Sequence, residues 1–330
     1  MKRRFVIFTV IICMLLAGCA KKEEKEEPVN SEVDEDFYRV TMGYGFAQKS
    51  GDMLYTQDFM NVYESIIGEE KVESVKVLKD TILEYLNVLD DKIYYRDYDD
   101  NYVEKNIESG ETRIVFDKAP ITDPYVCANG YTYALCGRDG PLVKIKTADG
   151  SYEEICKNVV IYAKYGDDLY YIWHKGINEK GEGGIPELWK LSEKTGEKAK
   201  IELEQQPISL YVYRDKVYYV TMGDFELHIY DLKTGKTEKS DAPAMYNYFV
   251  NENYIYYTDM EQEKTNGKKI LKRYNMLDKT DETIFDGGYY NFTVFSDGSI
   301  VVFCDTDDGY SYLNSLLIEK NGKWVTTDIK

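Results

Sequence analysis

His174 and His228 are the only histidines in the chain, so a nucleophilic triad or an imidazole-held metal must be built on them. His228 lies in the strand-like stretch FELHIYDL and reads as a packed or edge residue. His174 follows Trp173 at the mouth of a long loop and has no paired nucleophile. Gly-x-Ser-x-Gly, His-Glu-x-x-His and Cys-x-x-Cys are all missing. The 59 carboxylates leave a hydrolytic pair open, but at that density closeness in sequence carries no information. Asp97, Asp99, Asn101 and Glu108 stand at positions 1, 3, 5 and 12 of an EF-type calcium loop. However, Tyr102 occupies the sixth position, where glycine makes the bend, and Glu104 the normally apolar eighth. The segment reads better as the loop and strand of a repeat. Asp305-Thr306-Asp307-Asp308-Gly309 is no stronger and reads as a loop capped by its own side chains. Nothing in the sequence calls for a cofactor.

The elements that would position these residues begin after a leader. Lys2, Arg3 and Arg4 precede an apolar run from Phe5 to Leu16, too short to span a bilayer, and Leu16-Ala17-Gly18-Cys19 follows. Residues 1–18 read as a lipoprotein signal peptide, with Cys19 resembling the lipid-bearing cysteine of a bacterial lipobox; an ordinary cleaved secretion signal is the alternative. Residues 19–36, KKEEKEEPVNSEVDED after the cysteine and Ala20, are too charged to bury a core and read as an acidic flexible tether. Three of the 41 basic residues leave with the signal, so 38 face 59 acidic groups, a balance of −21. That excludes nucleic acid as a partner, because phosphate recognition needs a positive surface. It also argues against flat docking on anionic lipid, which leaves the anchor as the membrane contact.

Residues 37–330 are repetitive. The pairs Tyr94-Tyr95, Tyr170-Tyr171, Tyr218-Tyr219 and Tyr256-Tyr257 each close a short apolar run. The aligned anchors are Leu54, Ile93, Tyr131, Leu169, Val217, Ile255 and Ile300, at spacings of 39, 38, 38, 48, 38 and 45 residues. Periods near 40 with several strands per unit mean propeller blades. The fold class is therefore all-β, a β-propeller of four-stranded antiparallel blades. Seven copies give seven blades; the spacing leaves six or eight open, and no spare strand is seen that would close the ring. An aromatic residue precedes each anchor: Phe46, Tyr85, Tyr125, Tyr162, Tyr211, Tyr248 and Phe292. Tyr85, Tyr125, Tyr162, Tyr211 and Tyr248 are candidates to line the central channel. Turn glycines follow most anchors, among them Gly68, Gly110, Gly150, Gly196, Gly235 and Gly322, with Asp281 in that place in the sixth copy. Each copy thus reads as strands a to d. Paired tyrosines suit strand b because adjacent side chains point to opposite faces and a blade is covered on both. Asn129-Gly130 reads as a two-residue hairpin turn that sets Cys127 opposite Thr132. Cys127, Cys136, Cys156 and Cys304 are even in number in an exported chain, which raises disulfides; each lies in or beside a strand run and is read as a buried thiol.

These repeats resemble a Gram-positive lipoprotein-anchored β-propeller family with D-G-x-φ-Y-Y repeats. The matching pieces are DKVYYV with LHIYDLKTG, DDLYYIW with LWKLSEKTG, and NENYIYY with LKRYNMLDKTD. The resemblance implies the fold and the anchor, and no activity. The KTG segments also look like quinoprotein repeats, but the tryptophan that follows the turn there is missing.

Length variation falls between strands b and c. His174–Glu187, Met260–Lys269 and Asp305–Ser311 are the long b–c loops. Insertions mark where function is grafted on a scaffold, so a binding face is expected near Trp173, His174, Asp259 and Asp305. The expected function is a non-enzymatic binding or scaffold module of the cell envelope, on the outer face of a Gram-positive membrane, holding an envelope protein or peptide. The alternative is an envelope or dietary glycan-binding protein or glycan-active enzyme.

Overall fold

The structure, a computed structural model, describes residues 46–329 apart from 51–52, 59–60, 68–71, 80–83, 128, 138–139, 177–183, 246, 268, 290 and 306–311. The signal, Cys19, the tether, Gly68 and the middle of two long b–c loops lie outside the described residues. Among the described residues, twenty-eight strands form seven four-stranded antiparallel sheets. Blade 1 is β1–β4 (residues 47–78), blade 2 β5–β8 (84–116), blade 3 β9–β12 (121–156) and blade 4 β13–β16 (159–201). Blade 5 is β17–β20 (211–239), blade 6 β21–β24 (248–285) and blade 7 β25–β28 (291–329). In every sheet the strands lie in chain order, giving a seven-bladed β-propeller. All seven anchors fall in the second strand of their blades.

Both tyrosines of all four pairs are buried, because each blade is covered on two faces and neither side of strand b meets water. The first strands of neighbouring blades touch around the ring, β5 (Glu84–Leu89) against β1 (Ala47–Ser50) and β9 (Ile121–Val126), and β17 (Tyr211–Tyr213) against β13 (Val159–Tyr165) and β21 (Tyr248–Asn251). An innermost strand has ladder partners on one side only, so alternate backbone groups on its other edge need bonds from elsewhere. Side chains supply them. Gln48 Nε2 donates to Val88 O and Gln48 Oε1 accepts from Val88 N, both at 2.6 Å, joining blades 1 and 2. Asn87 Nδ2 donates to Pro124 O (3.1 Å), joining blades 2 and 3. Asn251 Nδ2 donates to Phe295 O and Ser296 O (3.2 Å each), joining blades 6 and 7.

The ring closes without strand exchange among the described residues, since blade 7 is built wholly from its own segment. Side chains make the joint. Phe46 stacks on Phe303 at 4.5 Å, Lys49 Nζ reaches Asp297 Oδ2 at 2.6 Å and Ser299 Oγ at 2.8 Å, and Asn314 Nδ2 donates to Gln57 O at 2.9 Å. Ala47 and Leu54 meet Phe295, Val301, Leu316 and Ile329 in one apolar cluster.

Two turns differ from the sequence reading. Cys127 N bonds Tyr131 O (2.7 Å) and Val126 pairs with Thr132, so the hairpin holds three residues and its register is one position off the expectation. Gly130, at φ +83°, takes the left-handed place that closes such a loop. In blade 6 the residue equivalent to Gly235 is Lys279, not Asp281. Lys279 N bonds Asn275 O as Gly235 N bonds Asp231 O, and Lys279 carries φ +61°. Asp281 already begins β24 (Asp281–Phe285). No disulfide joins Cys127, Cys136, Cys156 and Cys304, each of which is half-buried.

Candidate functional site

Alternating strand direction divides the connections. The b–c and d–a segments open on one end of the ring, the a–b and c–d turns on the other. Trp173 and His174 lie at the b–c end of β14 (Asp168–Lys175), opposite Glu187 and Pro186 of β15 (Ile185–Ser192). The Trp173 ring meets Trp189 edge-on at 6.0 Å, and Trp189 Nε1 donates to Glu187 Oε2 at 3.2 Å. A Cβ on Gly184 would come within 2.8 Å of His174 Cβ, so glycine there lets the returning loop lie against the imidazole. Asp259 does different work. It caps helix α1 (Met260–Asn266) by accepting from Glu261 N and Gln262 N, and it pairs with Lys272 Nζ at 2.8 Å. Burial opposes its charge, but Lys272 and the two amides outweigh that and hold its carboxyl below the usual range. It belongs to blade 6, with blade 5 between it and Trp173. The Asp305 side chain lies outside the described residues.

The proposed channel rings are mostly unavailable to a ligand. Tyr162, Tyr211 and Tyr248 are buried. The Tyr162 hydroxyl donates to Asp123 O (2.5 Å) and Tyr133 O (2.7 Å), that of Tyr211 to Val250 O (3.3 Å), and that of Tyr248 to Tyr218 O (3.0 Å). They join blades in the same way as the amides above. Tyr85 and Tyr125 are half-buried. Tyr85 sits at a bulge in β5 with φ +59°, under the Arg96 guanidinium at 5.6 Å. The calcium spacing does not assemble a site. Asp97 caps its own turn by accepting from Asp99 N, Asn101 N and Asn101 Nδ2. Glu108 lies beyond β7 (Tyr102–Asn106), at the opposite end of the blade. Among the described residues no group of three or more His, Cys, Asp or Glu could hold a metal. His228 is buried and stacks on Tyr219 at 5.4 Å, a packing role.

What the b–c end does present is an apolar patch on blades 4 and 5. Met222 is 62 % exposed, Ile185 53 % and Ile208 37 %. Ile208 lies in the d–a connection between these blades and Met222 in the b–c connection of blade 5. The two connections run side by side, with Ile208 N to Val220 O at 2.9 Å, Met222 N to Gln206 O at 3.1 Å and a bridge between Pro207 and Thr221. A shallow cleft of about 170 Å³ continues the patch between Ile185–Leu188 and Lys200–Pro207. Trp173 and His174 flank it through their pairing with β15. Sequence reasoning expected a binding face at this end and on this blade, through loop length, and did not single out Ile208 and Met222. Their only signal was apolar residues set between polar ones in two short connections.

A larger cleft lies elsewhere, at about 620 Å³ between blades 5 and 6, reached from the a–b and c–d turns. Its floor includes Tyr213, Tyr218 and Tyr274, and the ion pairs Arg214–Glu252 (3.3 Å) and Lys279–Asp241 (2.5 Å) cross it from blade to blade. Asp215 pairs with Lys233, and Asp231 accepts from Lys233 N and Thr234 N. The equivalent gap between blades 3 and 4 holds Glu193, bound by Lys164 Nζ at 2.7 Å and Lys144 Nζ at 3.3 Å. Burial pushes the Lys164 ammonium down.

Fold and site together define a seven-bladed propeller whose b–c end carries an exposed apolar patch. No family model and no curated protein matches the chain. Among solved structures it is similar to a Mycobacterium tuberculosis puromycin-hydrolyzing peptidase (TM-score 0.62, 11 % identity, 91 % of this chain and 55 % of that one). It is also similar to the tricorn protease (0.59, 9 %, 86 % and 35 %) and to an oligogalacturonate lyase in complex with manganese (0.53, 12 %, 86 % and 87 %). The chain thus spans about a third of the tricorn protease chain. At these identities the likeness is one of fold alone.

Proposed function

We propose that this chain is a lipid-anchored, extracytoplasmic propeller that acts as a binding module of the cell envelope, and that it holds a protein or peptide on the b–c end of blades 4 and 5. The anchor rests on Cys19 and its context in the sequence. The observation that carries the binding role is the exposure of Ile208 and Met222 on two connections bonded to each other, with exposed Ile185 at the start of β15 lining the cleft that reaches Pro207, at the end where loop length varies most. Exposed apolar groups set together in a polar rim mark an interaction surface. The glycan alternative draws less support. Three of its five channel rings are buried between blades, and Asp215, Asp231 and Asp241 in the large cleft are engaged by Lys233, backbone amides and Lys279.

The test is a triple variant, Ile185→Ser, Ile208→Ser and Met222→Ser, expressed in the native host and treated with a membrane-impermeant cross-linker. Exposed positions cost little on substitution, so the melting temperature stays within about 3 °C while cross-linked partners are lost. Partners retained at the unmodified chain's level would contradict the proposal.

A further inference from the structure

We infer that the segment held on this patch is an extended peptide that alternates aliphatic and cationic side chains; the inference rests on the binding role proposed above. The apolar half follows from Ile185, Ile208 and Met222. The cationic half follows from the charges around them. Glu202 and Glu204 line the cleft that continues the patch, and Asp224 follows Met222 by two residues; all three are exposed. Among the described residues the cleft wall holds one cation, Lys200, already held by Glu187 Oε1 at 3.5 Å and Glu202 Oε2 at 2.9 Å, and Lys175, opposite Ile185, is held by Glu187 Oε1 at 3.6 Å. The rim is therefore left with a surplus of negative charge. The whole chain, at −18, adds a field of the same sign. An anionic segment meets repulsion on this rim, whereas a cationic one is steered to it and finds acceptors beside the apolar floor.

The pairing of the two connections sets the extended form. Ile208 and Met222 flank the bridge between Pro207 and Thr221, on two segments paired as in a sheet. Neighbouring strands lie about 4.8 Å apart, and alternate residues of an extended chain recur every ~6.8 Å, so one face of such a chain sets successive aliphatic groups on the patch and turns the cations to the rim.

Binding to the full chain is measured by fluorescence anisotropy. The probe is a labelled, amidated heptapeptide of alternating lysine and leucine; its counterparts carry glutamine or glutamate in place of lysine. The lysine peptide is expected to bind about tenfold tighter than the glutamine one, and to weaken about fivefold between 50 and 300 mM salt, as exposed charges are screened. Glu202→Lys with Glu204→Lys should weaken it about tenfold. Met222→Asp should also weaken it, although it adds negative charge, while Leu277→Asp, on the opposite end, should not. Equal binding of the three peptides, no binding of any, or indifference to Met222→Asp would each overturn the inference. So would sedimentation showing that the patch pairs two copies of this chain. If the triple serine variant loses its cellular partners while the peptides show no charge preference, the binding role stands and this chemistry falls. If cellular partners are unaffected by the serines, the binding role itself falls.

Discussion

Gln48 offers the sharpest test of how this ring is held. Its amide is 1 % exposed and makes both of its bonds, 2.6 Å each, with the N–H and C=O of Val88 on the next blade. Methionine has nearly the same length and volume, so Gln48→Met removes two hydrogen bonds and leaves little cavity. Each buried backbone group left unpaired costs about 1–3 kcal/mol. The added apolar burial of the thioether offsets about 1–2 kcal/mol. The central expectation is a loss of about 2–3 kcal/mol, about 4 for the two orphaned groups less about 1.5 for the thioether. At this chain length about 2–3 °C is lost per kcal/mol, so the melting temperature falls by about 4–9 °C in calorimetry. Gln48→Glu adds a check on mechanism. Its carboxylate could still accept from Val88 N but would face Val88 O with a charge, so burial raises its pKa in the fold. Such a group disfavours the fold where it is ionised, and the penalty fades as pH falls through the raised value. This variant should therefore gain stability relative to Gln48→Met between pH 7 and about pH 4.5. A melting temperature for Gln48→Met within 1 °C of the unmodified chain would refute the claim that side-chain amides join the blades.

Other outcomes follow from the same contacts. Tyr162→Phe removes a hydroxyl that donates to Asp123 O and Tyr133 O; denaturant melts should show a loss of about 1–2 kcal/mol, with peptide binding unchanged. Glu104 accepts from Tyr94 Oη (2.9 Å) and from Arg113 Nε and Nη2 (2.9 and 2.7 Å). Burial opposes its charge, yet these bonds prevail and hold its pKa down. Its stabilisation is thus present above the unfolded value near 4.3 and is lost as pH falls through the lower folded value. Glu104→Gln should flatten the acid limb of a stability–pH curve below about pH 4.5. Finally, a thiol reductant should leave the melting temperature unchanged within about 1 °C, since no disulfide joins the four cysteines; a fall of several degrees would show a crosslink.

The fold was legible because its repeat is written in residue types that the packing demands. The doubled tyrosines mark strand b because a blade is covered on both faces, and Tyr218 with Tyr219 or Tyr256 with Tyr257 could not both be buried in a sheet with one wet side. The turns were less legible. Lys279 takes a left-handed conformation that its side chain does not advertise, and the Cys127 hairpin gained one residue that a dipeptide signal could not reveal. The joints between blades were invisible. Gln48, Asn87 and Asn251 look like any polar residue in a strand, and their partners lie 37 to 45 residues away. For the same reason Tyr162, Tyr211 and Tyr248 read as channel rings, when their hydroxyls reach the next blade. The calcium spacing spans both ends of a blade because a strand separates Asn101 from Glu108, as the repeat reading of that segment expects. The candidate site was half legible. Loop length pointed to the b–c end and to Trp173, but Ile208 and Met222 come together only through the pairing of two connections.

The most direct test of the binding role places a photo-reactive residue at Met222, 62 % exposed on the b–c end, or at Leu277, 72 % exposed on the opposite end. Both variants are irradiated on living cells, and the adducts are identified by mass spectrometry. The account predicts a defined partner joined at position 222 and none at 277. Adducts at both positions alike, or at 277 alone, would contradict it.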